Sequence, residues 1–96
     1  MATTITPVLI EKEDIPSLKF PKEAVARTPE QHKELVRKLQ TASTLGNIHH
    51  NKIAIIFEDD KEAKEVRTTV WAAGDDFVVL KQGITIPIRR IVEIKL

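Results

Sequence analysis

The chain has 96 residues, of which 42% are hydrophobic and 30% are charged, and its net charge is +1. This length predicts a single domain with one modest core, and the absence of cysteine excludes disulfides, thiolate metal sites and cysteine catalysis. No apolar run is long enough to cross a bilayer, and the first residues lack the pattern of a signal peptide, so we expect a cytoplasmic protein without membrane contact.

Basic and acidic residues are balanced along the whole chain, which has no basic tail and no basic half. Binding of nucleic acid depends on neutralising phosphates and normally leaves such an asymmetry in the sequence. The charge pattern therefore favours a protein partner over a nucleic acid, although folding can still assemble a basic patch.

Residues 1–27 form the first segment, which contains Pro7, Pro16 and Pro21 between small apolar clusters. Proline removes backbone donors and fixes φ, so no long helix is expected here. The segment is predicted to be an extended, partly ordered arm that adds a strand near residues 6–10 and docks on the domain or on a partner. The domain itself is predicted to span residues 28–96.

A helix is predicted over about residues 29–45. Thr28 has the form of an N-cap, Pro29 suits the first helical position, and Gln31 completes a capping box. Gly46 and Asn47 are typical of a helix end. One apolar stripe is expected from the three- and four-residue spacing of Leu35, Val36, Leu39 and Ala42.

The remaining residues predict five short antiparallel strands, at residues 52–58, 63–73, 77–81, 84–88 and 91–96. Turns are expected at residues 59–61 and 74–76 and at Gln82-Gly83, and Pro87 predicts that the fourth strand lies at an edge or ends there. The first strand is apolar on both faces and needs cover, which the helix stripe can provide. We therefore expect an α+β fold in which the helix packs on a strongly bent, SH3-like or Sm-like partial barrel over about residues 48–96.

Several short motifs stand in a distinctive order: LGNIHH at residues 45–50, TVWA at 69–72, VLKQG at 79–83 and IPIRRI at 86–91. Together they resemble a family of short uncharacterised bacterial proteins of the Bacteroidetes type, over about residues 35–96. The resemblance implies no activity and no functional residues. The Gly-x-x-Ile-Pro-x-x-x-Ile ending also resembles the last hairpin of Sm-like barrels, but the chain lacks the Asp-x-x-x-Asn signature of their RNA pocket, and fold alone does not give function.

Two features are candidate interaction sites. Arg89 and Arg90 lie between the last two predicted strands, where guanidinium groups can capture phosphate or carboxylate; the alternative is a solvated corner whose arginines pair with Glu93 or with the acidic turn at residues 75–76. Trp71 is the only tryptophan and suits a binding or oligomer hot spot, or else packs beneath the helix or the arm.

No catalytic or metal site is predicted. His49 and His50 are adjacent at an expected loop-to-strand junction, where their side chains point to opposite faces, and His32 is distant in sequence. The paired aspartates at residues 59–60 and 75–76 suit turns better than the cleft that acid–base catalysis requires. We expect no enzyme activity and no cofactor.

The leading functional hypothesis is a non-enzymatic protein-binding or self-associating module, in which a homo-oligomer is an option because sheet edges and a swapped arm can both pair copies. An alternative is a small RNA-binding module. Its phosphate contacts would be Arg89, Arg90, Lys52, Lys64, Arg67 and Lys81. A metal-binding or small-ligand-binding protein is a second alternative.

Overall fold

The computed structural model describes residues 7–49 and 52–95, with side chains described for residues 7–44 and 52–95. The fold is α+β, with one main helix and two sheets that do not close into a barrel within the described residues. The strands are β1 (Val8–Ile10), β2 (Ile53–Glu58), β3 (Ala63–Thr68), β4 (Val70–Ala73), β5 (Phe77–Leu80), β6 (Thr85–Pro87) and β7 (Ile91–Lys95), and the helix is α1 (Pro29–His49). Three short 3-10 turns span Lys12–Ser17, Lys81–Gly83 and Ile88–Arg90.

The larger sheet has the order β1-β3-β2-β7, and the smaller sheet has the order β4-β5-β6. All neighbouring strands are antiparallel except β1, which pairs with β3 in parallel. Both sheets contribute fully buried side chains to one hydrophobic core, such as Phe57 from the larger sheet and Ile86 from the smaller one.

The start of α1 confirms the predicted capping box. The Thr28 hydroxyl accepts a hydrogen bond from the Gln31 backbone at 3.1 Å, and the Thr28 backbone donates to the Gln31 side chain at 2.9 Å. The predicted end was wrong, because the helix continues through Gly46 and Asn47 to His49. Glycine costs only about 1 kcal/mol inside a helix, so it does not by itself force a stop.

The helix packs mainly against β4 and β7 and buries Leu35, Leu39 and Ala42. The strand that the sequence marks as apolar on both faces is β2, which lies in the middle of its sheet between β3 and β7. Part of its cover comes from the arm, where the centroid of the Phe20 ring lies 5.8 Å from the centroid of the Phe57 ring. α1 and β2 contribute to the same hydrophobic core, so the expectation that α1 is the layer over this strand stays a prediction, and the arm adds cover to it.

The predicted long strand at residues 63–73 is two strands in different sheets. β3 ends at Thr68 and β4 begins at Val70, and the carbonyl of Thr69 between them accepts a hydrogen bond from the Lys81 backbone at 3.0 Å. A straight strand of this length would run about 36 Å. The bend lets Val66 and Val70, both fully buried, face the same core.

The three predicted turns are present. In the last one, Gln82 and Gly83 both have positive φ, 69° and 79°, which reverses the chain between β5 and β6. β6 is an edge strand of its sheet and ends at Pro87. This agrees with the prediction from proline, which has no backbone N–H to donate to a neighbouring strand.

Residues 8–27 include the predicted strand as β1, but the stretch after it is not simply extended, because Lys12–Ser17 forms a 3-10 turn. The turn buries Ile15 in the core, and the Glu11 backbone donates to the Asp14 carboxylate at 3.3 Å. Within the described residues, no helix combines the length and apolar character needed to span a membrane.

Candidate functional site

The smaller sheet has one face in the core and one face outside. Successive residues of a strand alternate between the two faces. The paired residues that point inward are Val70 with Leu80 and Ala73 with Val78. The paired residues that point outward are Ala72 with Val79 and Val79 with Thr85. The outward side chains on β4 and β5 are apolar, which is unusual for a sheet face that no described element covers.

Trp71 and Ala72 both belong to this outer face because of a β-bulge: Trp71 follows the buried Val70 by ordinary alternation, and the bulge adds Ala72 beside it. The register of β4 against β5 shifts between Val70 and Ala72, so that Trp71 is the extra residue, and a bulge of this kind re-aims a side chain. Trp71 is 46% exposed, and Phe77, which lies two residues before Val79 on the same face, is 47% exposed. We define the apolar face as Trp71, Ala72, Phe77 and Val79, bordered by Thr85.

Charged residues flank the apolar face at the two ends of β5. Asp75 and Asp76 lie in the turn that precedes the strand, and Lys81 follows it; all three are exposed. None of the ion pairs between described residues includes any of the three. The face is therefore acidic at one end and basic at the other.

Arg90 does not project into solvent. Its guanidinium is buried and donates to three backbone oxygens, those of Glu23 at 2.7 Å, Glu58 at 3.0 Å and Asp59 at 3.2 Å. The Glu58 carboxylate is a further 3.8 Å contact. Arg90 thus ties the arm to the turn after β2.

Arg89, although adjacent in sequence, has a different environment. Its side chain is half-buried and donates from Nε to the backbone oxygen of Pro21 at 3.2 Å. It lines an open groove of about 480 Å³ together with His32 and the acidic turn of Asp75 and Asp76. The two predicted arginines are therefore not brought together in one binding site.

Arg27 is a third arginine at the same turn, and it was not predicted from the sequence. It donates to the backbone oxygens of Ile88, at 2.9 Å, and of Ile91. Burial lowers the pKa of its guanidinium. The Val25 backbone also donates to the Arg89 oxygen at 2.8 Å, so the end of the arm is fixed on both sides of the Ile88–Arg90 turn. Because the acceptors are backbone oxygens, no side-chain pattern in the sequence marks this cluster.

A buried ion pair between Asp59 and Lys64 was also missed. One Asp59 oxygen accepts from the Lys64 ammonium, and the other accepts from the backbones of Lys61 and Glu62 at 2.9 and 2.8 Å. Burial alone would raise the pKa of Asp59, but these hydrogen bonds lower it overall. The bond to Asp59 raises the pKa of Lys64, against the opposing effect of burial, and Glu62 adds a contact at 3.1 Å.

The basic side chains of the RNA-binding hypothesis do not form one surface of free cations. Lys64, Arg67 and Arg90 each contact a carboxylate, and for Arg67 the partner is Glu65 at 2.9 Å. Lys52, Lys81 and Arg89 have no carboxylate partner among the described residues.

The described residues contain no group of three or more side chains placed to hold a metal ion. His49 is the last residue of α1 and does not lie at the expected loop-to-strand junction; its side chain and all of His50 are outside the described part of the chain. The described residues do present an exposed apolar face with charged residues at both ends of β5. Comparisons of the chain with protein-family models, with curated proteins and with solved structures find no match.

Proposed function

We propose that the chain is a non-enzymatic protein-binding or self-associating module that uses the apolar face of the smaller sheet. The observation that carries the proposal is the exposure of Trp71 and Phe77, 46% and 47%, on one face. Covering the exposed half of two such aromatic side chains removes about 200 Å² from water, which is worth about 5 kcal/mol. Association itself costs about 4–15 kcal/mol, so the two rings act as anchors within a larger contact.

A protein partner is favoured over RNA by what surrounds these rings. Half of the basic side chains that an RNA site would use are engaged by carboxylates, and the aromatic pair is flanked by acidic as well as basic residues. RNA recognition through stacking needs aromatic side chains within a positively charged groove.

The finer architecture is also a proposal. We infer an SH3-like or Sm-like partial barrel, of the kind suggested by the pattern of short strands and by the resemblance of the ending at residues 83–91 to Sm-like barrels, supported by the bend at Thr69 that carries the chain from one sheet to the other. In such small barrels the strand faces and the connecting loops are the usual contact surfaces.

The test is affinity capture from the native host with a tagged chain that is co-expressed with an untagged copy. Trp71→Ala removes the larger anchor, and Leu9→Ala is the matched control because Leu9 is also an exposed apolar residue, 59% exposed, on β1 of the other sheet. The proposal expects bound protein, whether host protein or untagged copy, to be lost with Trp71→Ala and retained with Leu9→Ala. Equal recovery with both variants would contradict it.

A further inference from the structure

We propose that the partner on the apolar face is a second copy of this chain, packed face to face so that β5 runs antiparallel to β5 of the partner. The inference rests on the proposed function, because it names the occupant of the same face. It is carried by the charge at the two ends of β5 and by the placement of the apolar side chains between them.

The apolar side chains suit a two-fold axis that passes beside Val78. Phe77 and Val79 lie on either side of this buried residue and point outward. Rotation about an axis that is perpendicular to β5 and parallel to the sheet places the ring of Phe77 over Val79 of the partner subunit. The larger side chain of each copy then meets the smaller side chain of the other.

The same rotation makes the charges complementary. The acidic turn of Asp75 and Asp76 comes to lie against Lys81 of the partner subunit, and the contact occurs twice by symmetry. A parallel arrangement would instead bring acid to acid and base to base. Since Lys81 and both aspartates have no ion-pair partner among the described residues, the contact breaks no existing pair.

The size of the face determines how strong the dimer is. Three strands are spaced about 4.8 Å apart, and β5 with its flanking residues is about 16 Å long. The planar area of the face is therefore about 220 Å², without the extra surface of projecting side chains. A standard interface buries about 800 Å² on each partner. The face is well below this size, so a weak, reversible dimer is expected, which calls for protein concentrations approaching about 1 mM.

The experiment is sedimentation velocity on the purified full chain from about 10 µM to about 1 mM, the range in which a weak dimer forms. Emission of Trp71, the only tryptophan, is recorded over the same range. We expect a monomer–dimer equilibrium and an emission shift to shorter wavelength that follow the same curve, because dimerisation covers the indole.

Charge reversal tests the antiparallel arrangement. Lys81→Asp, and separately the double variant Asp75→Lys with Asp76→Lys, should each weaken the dimer by about tenfold or more, because two surface charge contacts become repulsive. An equimolar mixture of the two variants should restore association to the wild-type level, since each copy then supplies the charge that the other needs. Circular dichroism establishes that both variants are folded.

A wild-type chain that stays monomeric up to about 1 mM overturns the inference. In that case, Trp71-dependent capture of a different protein would leave the proposed function standing. A dimer that neither charge variant weakens, or that the mixture fails to restore, places the contact elsewhere and overturns the antiparallel arrangement. A dimer that forms without any change in Trp71 emission does not cover the apolar face, and this result also overturns the inference.

Discussion

Replacing Arg90 by alanine should destabilise the whole fold. The guanidinium donates to backbone oxygens of Glu23, Glu58 and Asp59, which belong to the arm and to the turn after β2. The substitution removes this donor from three backbone oxygens, of which the Asp59 oxygen accepts a buried hydrogen bond and the other two accept part-buried ones.

The size of the effect follows from those three acceptors. A buried polar group left without a hydrogen bond costs about 1–3 kcal/mol, and water that enters the vacated space recovers part of this. We therefore expect a loss of about 2–4 kcal/mol, because the three costs are coupled and fall below their sum. Against a typical total of about 5–15 kcal/mol, this is a large share of the free energy of unfolding.

Urea unfolding followed by circular dichroism measures the loss. With a slope of about 1–1.5 kcal/mol per molar urea, the midpoint should fall by about 1.3–4 M. Arg90→Lys should lose at least half as much, since one ammonium cannot reach three acceptors that a planar fork serves. Arg89→Ala is the matched control, because its side chain is half-buried and makes a single hydrogen bond to Pro21; we expect about 1 kcal/mol or less.

Two results would refute this reasoning. If Arg90→Ala unfolds at the same urea concentration as the wild type, the guanidinium is not a structural tie. If instead the loss for Arg89→Ala equals that for Arg90→Ala, burial and the number of acceptors do not decide which arginine stabilises the fold.

Leu39→Ala should lower the free energy of unfolding by about 2–5 kcal/mol, because a buried side chain between helix and sheet is truncated; an unchanged urea midpoint would contradict the docked helix. Burial raises the pKa of Asp59, but its hydrogen bonds outweigh burial and hold the pKa below its ordinary 3.8. The stability that Asp59 contributes is therefore present above pH 3.8 and is lost as pH falls through the lower folded pKa. Unfolding free energies of wild type and Asp59→Asn should therefore converge on acidification, and parallel curves below pH 3.8 would count against the pair. Gln82→Asn should raise stability by about 0.5–1 kcal/mol, because asparagine tolerates positive φ before Gly83 better than glutamine; a lower melting temperature would show that the turn is not strained.

Local signals in the sequence predict the parts of the fold that local chemistry determines. The capping box of Thr28 and Gln31 needs only residues three apart, and the turn at Gln82-Gly83 needs only a residue pair that accepts positive φ. The end of β6 at Pro87 follows from a missing donor. Each of these features depends on neighbours in the chain and on nothing distant.

Features that depend on distant partners were not predicted. The strand break at Thr69 leaves no mark, because Val66 and Val70 keep the same alternation whether the chain stays in one sheet or changes to another. The outward placement of Ala72 beside Trp71 requires a bulge, which alternation alone does not reveal. Because Arg89 and Arg90 are adjacent in the sequence, one shared role is predicted for them. Their hydrogen-bond acceptors nevertheless differ: among the described residues, Arg89 donates to Pro21 alone, whereas Arg90 also reaches the turn after β2.

The way in which the arm is held has a consequence for how its sequence can change. Arg89 and Arg90 recognise the backbone oxygens of Pro21 and Glu23, so these contacts make no demand on the side chains at those positions. Lys22, Glu23 and Ala24 are moreover exposed. This short stretch is therefore free to diverge among related chains while the fold persists, and it offers a place to graft an epitope or attach a dye without loosening the arm.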